Sequence, residues 1–435
     1  MRIYDLISLP LRKIRYIPRI YFVLAALLVF VLVFTHRHVE SWNDASRMAL
    51  AASIVENGTL SIDKSVFAVT GDKVFIRGRF YSDKPPIMSF LAAIIYYPLY
   101  KLGFTMTFQD NPAYYLITFL LQGVGLLLCV FCFYLLLREY PMRESYQVLM
   151  ASALAFASLL LPWSVVLSNN SFAACCLFIG YFFMNKAMSA KPKKMLMTLA
   201  GFCQGIAVSA DHTTGILVSA CIAILIITKE IRGYFLFFFL PVLLLGSATL
   251  VYYQALSGSI IPFETHKELW AYAGSSWDAH ALSGLHVNSP FVILKTVVKY
   301  SIGPNGFLIY NPFLIIGLYY AFILIKEKKT GWKNSFILLS GTALTVIYYC
   351  LFAEGAGGCS YSIRWFLPFL PIIYCHMWPF FGGLNKVKKA AFVMLFCFSV
   401  VMALGGVVNP WICYPKNGSA FIENMKPALE QLYKK

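Results

Sequence analysis

The stretch GRFYSDKPPIMSF, Gly78 to Phe90, sets Arg79, Asp83 and Lys84 against a Pro-Pro pair and an apolar segment. Pro85-Pro86 breaks the preceding chain and starts a helix, because proline is tolerated in a first turn. Lys84 then stands beside a helix N-terminus whose free N–H groups favour an anion. Either Lys84 snorkels at a membrane boundary, or a phosphate joins it to the helix end. The repulsion between a cation and that positive end favours the phosphate. Arg364 closes GGCSYSIRW and precedes a segment with Pro368 and Pro371. It either anchors the chain at the interface together with Trp365 or grips a phosphate through two N–H groups. The run Gly355 to Gly358 permits close backbone approach to a ligand.

Acids and imidazoles supply the other half of the chemistry. Asp44 follows the first apolar run closely, and Ala45 to Val55 reads as a helix capped by Asn43 or Asp44 and ending near Asn57-Gly58. Taken alone, Asp44 is a cap. At the mouth of a membrane bundle, where a carboxylate is partly desolvated, a general base is equally tenable. Asp211-His212 ends another apolar run, and Glu354 opens the segment that leads to Arg364. Ionisable groups at membrane depth point to function, less strongly at a rim. Between 255 and 305, Trp270, Tyr272 and Trp277 lie among Glu264, His266, Glu268, Asp278, His280 and His286. Such mixing suits sugar stacking or a lid, and equally a helix on the membrane surface. These spacings match no metal-ligand set, and neither a metal nor another cofactor is expected.

The elements that must position these groups are membrane spans. The 435 residues are 59% hydrophobic and only 13% charged, and apolar runs of about 20 residues recur, long enough to cross a bilayer. The net charge of +17 is not a nucleic-acid signal, since Lys and Arg fall in short runs between apolar segments. Most of the 11 Cys lie inside apolar runs, where Cys is a small hydrophobe. Cys359 and Cys413 both fall in segments read as outer, and a disulfide between them, though possible, is not expected. No cleavable leader is expected, because the first run ends in THRHVESW. If 86–104 lies along the interface instead of crossing, Arg138, Arg143, KPKK (191–194), KEIR (229–232), KEKK (326–329) and KVKK (386–389) all fall inside with the N-terminus. That arrangement satisfies the orientation rule. The reading is a single polytopic domain over 1–435 with eleven spans: 21–35, 113–137, 146–167, 172–188, 195–210, 213–228, 233–254, 306–325, 334–352, 363–381 and 390–409. Outside lie a catalytic loop, 36–112, a loop or lid, 255–305, and a short tail, 410–435.

NDASRMALAASIVENGTLSID, then an Asp72-Lys73 step, then GRFYSDKPPIMSFLAAIIYYPLY resembles the first outer loop of the GT-C glycosyltransferases. The nearest groups are lipid A aminoarabinose transferases and protein O-mannosyltransferases with their bacterial relatives. GGCSYSIRWFLPFLP is also similar to a late Gly-Gly…Arg…Pro…Pro segment of that family. The resemblance implies an all-α, GT-C-like bundle in the bacterial inner membrane, with a cytoplasmic N-terminus and an outer active site. It implies a polyprenyl-phosphate-sugar donor, a lipid, glycan or protein acceptor, and inversion at the sugar. Lys84 and Arg364, with Arg79, would hold the phosphate. Asp44 would be the base, and Asn43, Asp83, Asp211, His212 and Glu354 would orient the substrates. Two departures stand out. Many members begin the loop with Asp-Glu, where this chain has Asn43-Asp44, and many carry an Asp in the second outer loop, where this chain reads Ser168-Asn169-Asn170-Ser171. The rival classes are a lipid-linked oligosaccharide flippase and a non-catalytic membrane protein. A transporter is expected to show inverted repeats and mid-membrane charges; neither is evident.

Overall fold

The computed structural model describes residues 18–275, 277, 288–353, 358–413 and 418–433. Glu354, Asp278, His280 and His286 lie outside the described residues. The chain is an all-α membrane protein carrying one small β-hairpin. Five described helices are long and apolar enough to cross a bilayer: Pro112–Leu137, Asn169–Ser189, Arg232–Ser257, Trp332–Phe352 and Lys386–Val408. A sixth is reached by joining Pro290–Tyr310 to Phe313–Lys326, a pair bent by 99°. Ile20–Phe34, Ile87–Lys101 and His212–Ile227 are apolar but shorter.

Several expected spans are therefore broken, and proline marks the breaks. The run 146–167 is helical only over Glu144–Phe156, followed by a turn, Leu160–Trp163, that contains Pro162. The run 363–381 divides into a 3₁₀ segment, Arg364–Phe369, a short helix, Leu370–Cys375, and a last turn, Trp378–Phe381. Pro368, Pro371 and Pro379 lie within it, and each removes an N–H and crowds the preceding turn. Phe366, Leu367, Leu370, Ile372 and Ile373 are all buried. Irregular backbone is tolerated at membrane depth when protein surrounds it, and this segment positions Arg364.

In the first loop the helix Trp42–Asn57 starts earlier than expected. Ser41 is its N-cap, Asp44 sits at the third helical position of a capping box, and Gly58 ends it with φ 62°. The segment 86–104 forms the helix Ile87–Lys101, with Met88, Ala92 and Tyr96 buried. Between the two helices lies the hairpin Lys73–Ile76 and Arg79–Ser82, which the sequence reading did not anticipate. Arg77 and Gly78 both take positive φ, 48° and 84°. A two-residue turn of that kind matches the twist of the flanking strands. The tail also holds more order than expected: Ala420–Tyr433 is helical, and Asn424 Nδ2 donates to the Gly405 and Asn409 carbonyls.

Candidate active site

The hairpin register builds the first half of the site. Ile76 pairs with Arg79 and Lys73 with Ser82, so the next position outward sets Asp72 opposite Asp83. Two buried carboxylates facing each other repel unless a cation joins them. Lys84 is that cation, with Nζ 2.8 Å from Asp72 Oδ2 and 2.6 Å from Asp83 Oδ2. Burial opposes the charge on Lys84, but Asp72 and Asp83 outweigh it and raise its pKa. Burial pushes Asp83 the other way for an acid, up to about 6, against the pull of Lys84. Asp83 also accepts from Ser46 Oγ at 3.0 Å. Lys84 is thus oriented as the sequence suggested, but it is already paired with two acids.

Two arginines are less well paired. Arg47, four residues after Asn43 and on the same helix face, is 1% exposed. Its Nη1 donates to the Asn43 carbonyl at 2.7 Å and to Asn43 Oδ1, while its buried Nε finds no partner among the described residues. Burial lowers the Arg47 pKa, against the pull of Asp83 and Asp72. Arg364 is the sharper case. Its Nε and Nη1 are buried with no hydrogen-bond partner among the described residues. The guanidinium instead lies over Trp411, 4.4 Å from the ring centroid, and 5.9 Å from that of Trp163. Upstream, Ser362 takes φ 60°, a conformation that costs energy for a residue with a side chain. Bonds from Trp163 Nε1 to the Tyr361 carbonyl and from Ser362 Oγ to the Asn305 carbonyl hold it there.

Two cavities meet at Arg364. The larger, about 490 Å³, is lined by Glu40, Trp42, Asn43, Asp72, Phe108, Trp277, Arg364 and Trp411, with Cys359 and Cys413 at its wall. The smaller, about 300 Å³, is lined by Asn43, Arg47, Lys84, Asn170, Asp211, His212, Glu264 and Arg364. Asn43 and Arg364 form the wall common to both. Cys359 and Cys413 are joined in a disulfide, which corrects the expectation from sequence and ties the Arg364 segment to the Trp411 segment.

The acids divide by use. Asp44 is fully buried and lines neither cavity. It accepts from the N–H groups of Glu40, Ser41 and Ala45, from Ser41 Oγ, and from Tyr114 OH at 2.8 Å. Burial raises its pKa, and bonds from Ser41, Glu40 and Tyr114 pull it back only in part. Asp211 accepts from Asn170 Nδ2 at 2.7 Å and from Thr213 Oγ1. The segment 168–171, which lacks an acid in sequence, thereby acquires one in space. His212 stacks on Tyr253, and its Nε2 is buried and unpartnered among the described residues. Arg79 is exposed at the start of its strand and lines neither cavity. Among the described residues no group of three or more His, Cys, Asp and Glu is placed to hold a metal ion.

Arg47, Glu40 and Trp42 line these cavities without having stood out in sequence, and Asp72 and Asn170 stood out there only as parts of longer motifs. One signal was available for Arg47: the i,i+4 spacing from Asn43 puts both on one helix face. The segment after Gly258 meets the hairpin and the turn before it, with Trp277 Nε1 donating to the Gly71 carbonyl at 3.0 Å and Tyr272 OH to the Lys73 carbonyl at 3.4 Å. His266 meets Glu268 at 3.0 Å on the outside of that segment and lines neither cavity.

No protein-family model and no curated protein sequence matches the chain. Solved structures do. ArnT from Cupriavidus metallidurans bound to undecaprenyl phosphate superposes with a TM-score of 0.51 at 14% identity, over 90% of this chain and 71% of that one. The fold is that of the GT-C glycosyltransferases. ArnT in the apo state gives 0.52 at 13% identity over the same shares. The archaeal oligosaccharyltransferase AglB from Archaeoglobus fulgidus, in complex with an inhibitory peptide and a dolichol-phosphate, gives 0.51 at 11% identity. This chain covers 56% of AglB. Within this fold, the two cavities occupy the junction of the first long loop with the helical bundle.

Proposed function

We propose that the chain is an inverting glycosyltransferase that moves a sugar from a polyprenyl-phosphate donor to a lipid, glycan or protein acceptor at the outer face of the membrane. The observation that carries this reading is Arg364. A buried guanidinium with unpaired N–H groups is costly, and it is placed where two cavities of a GT-C fold meet. A phosphate there would satisfy Arg364 and Arg47 together, with Lys84 adding positive charge from the far side. That ArnT was crystallised with undecaprenyl phosphate, and AglB with a dolichol-phosphate, supports this donor class.

In the mechanism, the acceptor oxygen attacks the anomeric carbon from the face opposite the phosphate, and the C–O bond to phosphate breaks. The leaving phosphate gains negative charge as the sugar departs. Arg364 and Arg47 are fixed before the reaction and stabilise that charge without reorganising. Direct displacement needs one base and a good leaving group, not the two carboxylates of a hydrolase. Asn43, held by Arg47, orients the substrates at the shared wall, and Asp211 and His212 do so from the smaller cavity. The disulfide beside the larger cavity supports an outer site, since such bonds persist in oxidising compartments. The orientation rule, which favours basic loops on the inside, agrees with the same orientation. Purified protein in vesicles, given labelled polyprenyl-phosphate sugars and mixed envelope acceptors, should release free polyprenyl phosphate in step with transferred sugar. No release from any donor would overturn the reading.

A further inference from the structure

We infer that the larger cavity is the acceptor subsite, that it takes a saccharide, and that Asp72 receives the proton of the attacking hydroxyl. This rests on the glycosyltransferase reading and adds the acceptor class and the base. A sugar ring has apolar C–H faces and polar hydroxyl edges, so a saccharide site needs aromatic faces beside a few hydrogen-bonding groups. The larger cavity supplies both, with Trp42 and Trp277 as aromatic rings and Asn43 and Asp72 as polar groups. A lipid chain in the same space would bury carboxylates against hydrocarbon, which is costly.

One turn of chain builds the arrangement. The Gly71 carbonyl accepts from Trp277 Nε1 at 3.0 Å. A Cβ on Gly71 would meet the Trp42 ring at 2.6 Å, so only glycine lets that ring lie against the turn. The two indoles then stand edge to face, 6.3 Å apart. The next residue is Asp72. Trp42 remains 49% exposed, unlike the buried Trp163 and Trp270.

Asp72 is the carboxylate of this cavity that remains able to accept. Its Oδ2 is held by Lys84, and no hydrogen bond engages Oδ1 among the described residues. Asp44 and Asp83 line neither cavity. Glu40 lines this one as well, but its Oε1 is engaged by both His36 and His38. In the step itself, the acceptor oxygen bonds to the anomeric carbon and the bond to phosphate oxygen breaks. The electron pair leaves with the polyprenyl phosphate against Arg364, and the hydroxyl proton passes to Asp72. Lys84 is then a positioning residue that aims Asp72.

The test uses the full chain in vesicles with a polyprenyl-phosphate sugar, offering saccharide, peptide and lipid acceptors and, separately, azide. Azide attacks without giving up a proton. Asp72→Asn should bind polyprenyl phosphate as the wild type does and lose about 10²-fold or more of its transfer to saccharide. Azide should restore its release of polyprenyl phosphate, with glycosyl azide as product. Trp277→Ala, which leaves Lys84 and its acids untouched, should raise the KM for the saccharide with little change in kcat. Full transfer by Asp72→Asn, or failure of azide to rescue a variant that binds donor, would overturn Asp72 as base. Preference for peptide or lipid, with Trp277→Ala silent, would overturn the saccharide site. If wild type transfers sugar to nothing, azide included, the underlying glycosyltransferase reading fails with it.

Discussion

Replacing Arg364 with Met separates a phosphate site from a structural anchor by the sign of the stability change. Arg364 holds a charge whose Nε and Nη1 have no partner among the described residues. An unsatisfied buried donor costs about 1–3 kcal/mol, and more when charged. Stacking on Trp411 at 4.4 Å and Trp163 at 5.9 Å returns some of this, roughly 0.5–2 kcal/mol for each contact. Met fills similar space without the charge, and exchanges of buried charge for apolar groups are neutral or stabilising by about 1–4 kcal/mol. Without ligand, Arg364→Met should therefore melt at or above the wild-type Tm. With ligand the order reverses. Polyprenyl phosphate at one hundred times its Kd stabilises the wild type by about 2.7 kcal/mol. Loss of charge-assisted bonds worth roughly 1.5–3 kcal/mol each weakens binding by about 100-fold, leaving a shift near 0.4 kcal/mol at the same concentration. The assay is thermal unfolding in detergent with and without polyprenyl phosphate. A variant that is less stable alone and keeps the full ligand shift would refute the reasoning.

Three further outcomes follow from the same geometry. Asp44→Asn puts an amide where five donors converge. It should cost roughly 1–3 kcal/mol of stability while turnover per folded molecule stays within about tenfold, the reverse of a lost base; denaturation and active-site counting together check this. Asp83, with a pKa of about 6, binds protons more tightly folded than unfolded, as do Asp44 and His36, whose pKa values are also raised. Their contribution to stability is present at acid pH and lost as pH rises through those folded values, so Tm should fall from pH 5 to 7, and less so in Asp83→Asn. The Cys359–Cys413 bond closes a separation of 54 residues, and its loss in Cys413→Ser should cost roughly 2–4 kcal/mol. In intact cells a membrane-impermeant reductant should reach it, and reduction only after permeabilisation would contradict an outer site.

What the sequence made legible was chemistry carried by neighbours in the chain. SDKPP announced a helix start and an oriented Lys84, and both are present. The GT-C resemblance held at the level of fold. What escaped were pairings across distance. Asp72 meets Lys84 only because the Arg77-Gly78 turn sets the hairpin register, and nothing in local composition weighs Asp72 above Asp63. Asp211 reaches Asn170 across two helices, so an acid missing from one loop is supplied by another. The count of eleven spans is not confirmed for a different reason: apolar runs record burial, not helix continuity. Residues 363–381 are as apolar as a span, yet Pro368, Pro371 and Pro379 break them into turns that the surrounding helices enclose.

The most direct measurement is a structure of the full chain with polyprenyl phosphate bound. Phosphate oxygens within about 2.7–3.1 Å of the guanidinium nitrogens of Arg364 and Arg47, with the larger cavity left open beside Asp72, are the result expected. A phosphate seated away from both arginines, with Arg364 still lying unpaired over Trp411, would contradict the account.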